Sequence, residues 1–326
     1  MTGIFKANNP SNNFFLLLYG IILKSYLFVT PVVPELQSSD GPLYSSFLIW
    51  LKVTFVNFPI VFGIISFLLV FIQAIVFNKA VNDQRMLQKP TYLTGMAYLL
   101  LTSIFSDWFP LSAALMVNTL LIWVWSKLCT LHNNHSGKAT IYNIGLAIGV
   151  ACFFYYPAII FTLLFVSGIA LMRPFRLNEW LIGLIGIATP FYFFCAWLFL
   201  TGQWNTYQLP SASVAKPIFE QSRWAIVAIV LVVSTVLLGI YFIQNNLRRQ
   251  IVQTRKSWQL IYIYMVIAAF VPFINAAGSF TGWILLAVPV SIITASALFY
   301  PEKRWFPMGI HWGMVAISVA VAYFVK

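Results

Sequence analysis

PVVPELQSSDGPLYSSFLIWLKVTF (Pro31–Phe55) lies between two long apolar stretches, and its reading decides how the chain is threaded. If Leu43–Phe55 crossed a membrane, every later loop would change sides. A span needs about 20 mostly apolar residues. This segment has thirteen, with Lys52 among them. Asp40-Gly41-Pro42 reads instead as a helix start, with Asp40 as cap and Pro42 in the first turn. Phe47, Leu48, Leu51, Phe55 and Phe58 recur at helical spacing. They predict a short helix near 42–56 that lies on the outer membrane face or tucks into a bundle. An outward extension of the next span is the other reading of the same pattern.

The rest of the chain explains why membrane threading is the issue. Of 326 residues, 61% are hydrophobic and 8% are charged, and the mean hydropathy is +0.87. A soluble domain is about 45–50% apolar and about 25% charged. This chain has too few polar side chains to cover a water-facing surface, so an all-α, polytopic membrane bundle is expected. Eleven apolar segments suit spans: 14–34, 58–78, 91–107, 111–131, 139–156, 158–172, 178–201, 223–245, 258–274, 279–299 and 307–325. The apolar run from Phe14 lacks a small-residue cleavage site and reads as a retained first helix. The three cysteines supply no disulfide framework.

With the N-terminus in the cytoplasm and the C-terminus outside, fourteen of the nineteen basic residues fall in inner loops. Four fall outside (Lys52, Lys216, Arg223 and Lys326), and Lys24 lies within the first span. Cytoplasmic loops of membrane proteins carry such an excess. The net charge of +12 is thereby explained without nucleic acid. The expected location is a bacterial inner membrane, with membrane lipids as surroundings. The chain reads as one integral domain over 1–326, with an outer loop at 201–222 and further helices over 223–326.

No Walker loop, dinucleotide fingerprint or nucleophile elbow occurs. Cys129, His132 and His135 have ligand-like spacing but no fourth partner nearby, so a polar turn is the simpler reading. No cofactor is expected; a divalent metal at the outer acids has no support in the spacing. Those acids are Glu35, Asp40, Asp107 and Glu220, four of the chain's seven. Near them fall Tyr44, Trp50, Trp108, Phe109, Tyr155, Tyr156, Trp204 and Tyr207, with the cations Lys216 and Arg223. Such a set reads either as an aromatic belt with solvated loop acids or as a pocket with a carboxylate base and a phosphate anchor. Lys24 is costly in a span unless it faces a polar cavity, pairs with an acid or contacts backbone.

The order of segments resembles the GT-C superfamily of integral-membrane glycosyltransferases, which take sugars from polyprenyl-phosphate donors at the outer face. A first span leads to SSDGPLY (Ser38–Tyr44) and an outer helix. IGLAIGVACFFYYPAIIFTLLFVSGIALMRPFRLNEWLIGLIG (Ile144–Gly186) then resembles that superfamily's Gly-rich helix, hairpin, basic turn and Trp-led helix. The resemblance covers about the first 200 residues. It implies a catalytic acid in the first outer loop, at Asp40 first and Glu35 second, with a lipid-linked sugar as substrate. No adjacent Asp-Glu pair and no large outer domain accompany it. From IFKANNP (Ile4–Pro10) onward the chain also resembles an uncharacterised family of multi-pass inner-membrane proteins of Bacteroidota. Three functions follow. One is a glycosyltransferase, with Asp40 or Glu35 as the acid and Asp107, Trp108, Tyr44, Tyr156, Lys216, Arg223 and Lys24 around the substrate. One is a non-catalytic subunit or assembly factor of a cell-envelope complex with a membrane-protein partner. One is a transporter or flippase with a polar cavity around Lys24, Asn118 and Asn143.

Overall fold

The computed structural model describes residues 2–133, 137–204, 223–274, 280–303 and 305–324. Its helices are α1 (Thr2–Lys6), α2 (Asn12–Leu23), α3 (Tyr26–Val29), α4 (Pro42–Thr54), α5 (Ile60–Asp83), α6 (Leu93–Leu101) and α7 (Ala113–Thr130). There follow α8 (Lys138–Phe154), α9 (Thr162–Met172), α10 (Leu177–Leu200), α11 (Arg223–Leu247), α12 (Val252–Phe270), α13 (Ala287–Phe299) and α14 (Trp305–Phe324). Short 3-10 turns join several of them. Among the described residues seven helical stretches are long and apolar enough to cross a membrane: α5, α7, α10, α11, α12, Phe280–Phe299 and α14. The apolar stretches at α2, α6, α8 and Tyr156–Met172 hold shorter helices. The chain is a helical membrane protein.

Burial runs opposite to that of a soluble bundle at the rim and normally at the centre. Every residue of α6 and of α13 is buried, and these two helices pack on each other. Helices α10 and α11 sit at the edge and expose Leu184, Phe193, Leu200, Val230 and Leu237. Such apolar outer faces suit hydrocarbon and not water.

Helix α6 is about 14 Å long at 1.5 Å per residue, less than half a bilayer core. The segment expected as one span over 91–107 therefore breaks after Leu101. The Thr102 hydroxyl donates to the carbonyls of Tyr98 and Leu99, and that of Ser103 donates to Leu99. This back-bonding competes with helix continuation. The chain then turns into a 3-10 helix at Ser106–Trp108. The irregular backbone over 102–105 is buried in protein, a setting in which such breaks are tolerated in membrane proteins.

The Gly-rich run noted in the sequence has a packing purpose. Helices α8 and α10 lie in close contact along their lengths. A Cβ at Gly145 would collide with the Gly183 carbonyl, and one at Gly186 with the Tyr142 carbonyl. Small residues let helix backbones approach this closely, which is how membrane helices gain packing energy without a hydrophobic drive. The turn that follows α9 is tied by Glu179, which is buried 3.4 Å from Arg173 and 3.8 Å from Arg176.

Helix α4 forms where the sequence places it, separate from α5. Leu48 and Leu51 are buried, and Phe47 and Phe55 are half-buried. Phe58 is exposed instead of sharing that face, because α4 stops at Thr54 and the chain turns before Pro59 opens α5. Trp50 and Val53 on the opposite side of α4 are exposed as well. The helix is thus apolar on both sides, one against α8 and one outward.

Candidate functional site

After α3 the chain crosses one end of the bundle in an extended path over residues 31–37, where Pro31 and Pro34 disfavour helix. It then closes a tight turn. The Asp40 N–H donates to the Gln37 carbonyl (3.0 Å), and the Gln37 N–H donates to Asp40 Oδ2 (2.9 Å). Next comes a two-bond antiparallel bridge that sets Asp40 opposite Tyr155. In it the Gly41 N–H donates to the Phe154 carbonyl (2.8 Å) and the Tyr156 N–H donates to the Ser39 carbonyl (3.1 Å). A Cβ at Gly41 would strike the Phe153 carbonyl, so only glycine allows this approach.

Asp40 is therefore not the helix cap. Gly41 occupies that position, Pro42 the first turn, and no side chain caps α4. The expectation fails because the carboxylate turns back to Gln37 rather than forward to the helix amides. No second hydrogen bond to this carboxylate forms among the described residues. Asp40 lines a cleft of about 210 Å³ together with Glu35, Gln37, Tyr44, Tyr155, Thr281 and the Pro110–Ala114 turn. Burial raises its pKa from 3.8 to about 6, against the opposing pull of the Gln37 N–H. Burial and the neighbouring Asp40 charge also push the Tyr44 hydroxyl upward.

The other expected residues divide. Glu35 is exposed at the mouth of the cleft. Tyr44 forms a wall, but its hydroxyl is committed to the Leu111 carbonyl (2.9 Å). Tyr155, not Tyr156, faces the cleft; Tyr156 contributes its backbone to the bridge. Asp107 is half-buried beside Ser106, away from the cleft. Trp108 is buried, donates its indole N–H to the Phe280 carbonyl (3.0 Å) and stacks on the Phe280 ring. Lys216, Glu220, His135 and the side chain of Arg223 lie outside the described residues.

Lys24 ends α2 fully buried. Its ammonium donates to the Thr102 carbonyl (2.9 Å) and sits 5.1 Å from the centre of the Phe109 ring. This is the backbone contact foreseen as one option, and it leaves Lys24 off the cleft. Asn118 is buried and donates to the Ile284 carbonyl, whereas Asn143 is exposed on α8. Neither lines the cleft, so the three residues named for a transport cavity are not brought together there. Cys129 is buried and His132 exposed, and no group of three His, Cys, Asp or Glu side chains converges among the described residues.

The model of a family of unknown function, DUF6427, matches residues 42–326. The chain belongs to that family. The DUF6427 match begins at the first residue of α4, so Asp40 and Glu35 stand immediately before it, while Tyr44, Tyr155 and Thr281 stand within it. No curated protein and no solved structure matches the chain.

Gln37 and Thr281 are cleft residues that no sequence pattern marks. Gln37 and Thr281 meet across 244 positions, with the Thr281 hydroxyl 3.2 Å from Gln37 Oε1. No local pattern signals such a pairing. Tyr155 belongs to the aromatics expected near the outer acids, and the turn at Tyr156-Pro157 that ends α8 brings it to the cleft.

Proposed function

We propose that the Asp40 cleft handles the head group of a lipid-linked sugar at the outer face of a bacterial inner membrane, in the manner of a GT-C-like glycosyltransferase. The cleft then lies outside because the N-terminus is cytoplasmic and the chain crosses eleven times, ending outside. In that threading the shorter helices at α2, α6, α8 and Tyr156–Met172 cross as parts of interrupted segments. The observation that carries the reading is Asp40 itself. Its carboxylate is pinned at one oxygen, caps no helix and lines a cleft of mixed polar and apolar walls, with a pKa near 6. A base poised just below neutral pH is ionised enough to act and basic enough to take a proton. Asp40 would accept the proton of an acceptor hydroxyl as that oxygen attacks the sugar carbon and the lipid phosphate departs. Glu35, at the mouth, would orient the acceptor.

The test is transfer of labelled sugar from a polyprenyl-phosphate donor by the full chain in liposomes. Asp40→Asn should abolish transfer with expression and folding unchanged; undiminished transfer removes Asp40 from the role. A second reading, a non-catalytic subunit of an envelope complex, draws on two observations. The cleft is smaller than the roughly 300 Å³ at which small-molecule pockets begin, and the family match starts beyond Asp40. A stoichiometric membrane-protein partner retained by purified Asp40→Asn protein, with no transfer by wild type, would favour it.

A further inference from the structure

We infer that an apolar groove beside the cleft holds the hydrocarbon chain of the lipid whose head group the cleft receives. The groove measures about 400 Å³ and is walled by α11, α12, the start of α13 and the 3-10 turn around Trp108. No polar surface lines it, so it offers nothing to a sugar, a phosphate or an ordered water. Val233 and Leu237 of α11 are largely exposed at its edge, on the rim that faces hydrocarbon. The groove is therefore open sideways to the membrane.

Its relation to the cleft selects the occupant. The stacked rings of Trp108 and Phe280 belong to the groove. The next residue after Phe280, Thr281, belongs to the cleft, as does Pro110, two residues beyond Trp108. The same two turns thus contribute side chains to a wholly apolar space and, within one or two residues, to a carboxylate-bearing one. A molecule satisfying both is an amphiphile with one chain along α11 and its polar end over the Thr281 side. A partner helix would need polar matching at neither end, and nothing in the groove would distinguish its register. The lipid assignment for the polar end rests on the proposed reading of the cleft; the chain assignment stands on the groove alone.

The experiment uses full-length protein in phosphatidylethanolamine–phosphatidylglycerol vesicles with a polyprenyl phosphate carrying a diazirine on its chain. After irradiation the labelled residues are mapped by mass spectrometry. Labelling should concentrate at least fivefold on Val233, Val236 and Trp283 over the exposed α10 residues Leu184 and Phe193, and excess unlabelled polyprenyl phosphate should remove it. Val236→Trp, or Val233→Trp at the more tolerant edge, should reduce groove labelling at least fivefold and leave α10 labelling unchanged. Equal labelling of groove and α10, or labelling insensitive to both tryptophans, overturns the inference. Asp40→Asn separates the two claims. Loss of transfer with groove labelling intact supports both; intact transfer with intact labelling refutes the cleft reading alone. Labelling by a diazirine phosphatidylglycerol equal to that by the polyprenyl probe would place an ordinary bilayer lipid in the groove and overturn the assignment to the substrate chain.

Discussion

Replacing Asp40 by Asn should stabilise the protein at neutral pH. Raising a carboxyl from 3.8 to about 6 corresponds to ~3 kcal/mol against its ionised form in the fold. Water reaching this half-buried group reduces that to roughly 1–2 kcal/mol. The sign follows from linkage. Above pH 6 the carboxylate is ionised both folded and unfolded, and the fold bears the desolvation cost. As the pH falls through 6 toward 3.8, the folded state takes up the proton first and the cost disappears. Asn is neutral at every pH and still accepts the Gln37 N–H, so it removes the cost without removing the bond. Thermal unfolding of purified protein in detergent should therefore show Asp40→Asn several degrees above wild type at pH 7.5 and level with it at pH 4. A helix cap would behave otherwise, since Asn caps as well as Asp and no difference would appear at either pH. A drop in stability at pH 7.5 would refute the reasoning, because it would mean that a cation holds the carboxylate. A residue that costs stability where it stands is the pattern expected of a functional group.

Gly41→Ala should break the Ser39–Tyr156 and Gly41–Phe154 pairing, because its Cβ would meet the Phe153 carbonyl; proteolysis of the 31–41 segment should accelerate at least tenfold, and an unchanged rate would count against the bridge. Gly145→Val should cost upward of ~3 kcal/mol by wedging α8 from α10, read as a fall in the unfolding midpoint, whereas a neutral outcome would deny the close helix contact. Tyr44→Phe should cost about 1 kcal/mol, the worth of its bond to the Leu111 carbonyl, while leaving the cleft's Asp40 in place and transfer largely intact. Abolished transfer in a folded Tyr44→Phe protein would show that the hydroxyl does more than brace the wall.

What the sequence disclosed depended on whether the signal was local. Apolar length announces helices wherever they run, and each stretch expected as a span holds helix. The break in α6 was hidden because Thr102 and Ser103 are polar only at their tips and read as helix until their hydroxyls bond backward. Pro42 disclosed the start of α4, but the cap moved from Asp40 to Gly41 because a tertiary bridge to Tyr155 competes for the same residues. The cleft was half legible. Asp40, Glu35 and Tyr44 lie in one loop and helix, so their neighbourhood is written in order along the chain. Thr281 and Tyr155 arrive from other helices, and Trp108 turns to Phe280 to form the neighbouring groove instead. For Lys24 the sequence leaves a polar cavity, an acid partner and a backbone contact all open. A backbone carbonyl and an aromatic face serve it, and neither has a sequence signature.

The most direct test of the central claim is the pH dependence of sugar transfer by the full-length protein from a polyprenyl-phosphate donor in liposomes. If Asp40 is the base, the rate should be level above about pH 7, half-maximal near pH 6 and fall tenfold for each further step of one in pH, and Asp40→Asn should show no transfer at any pH. A rate that is flat from pH 5 to 8, and retained by Asp40→Asn, would contradict the account.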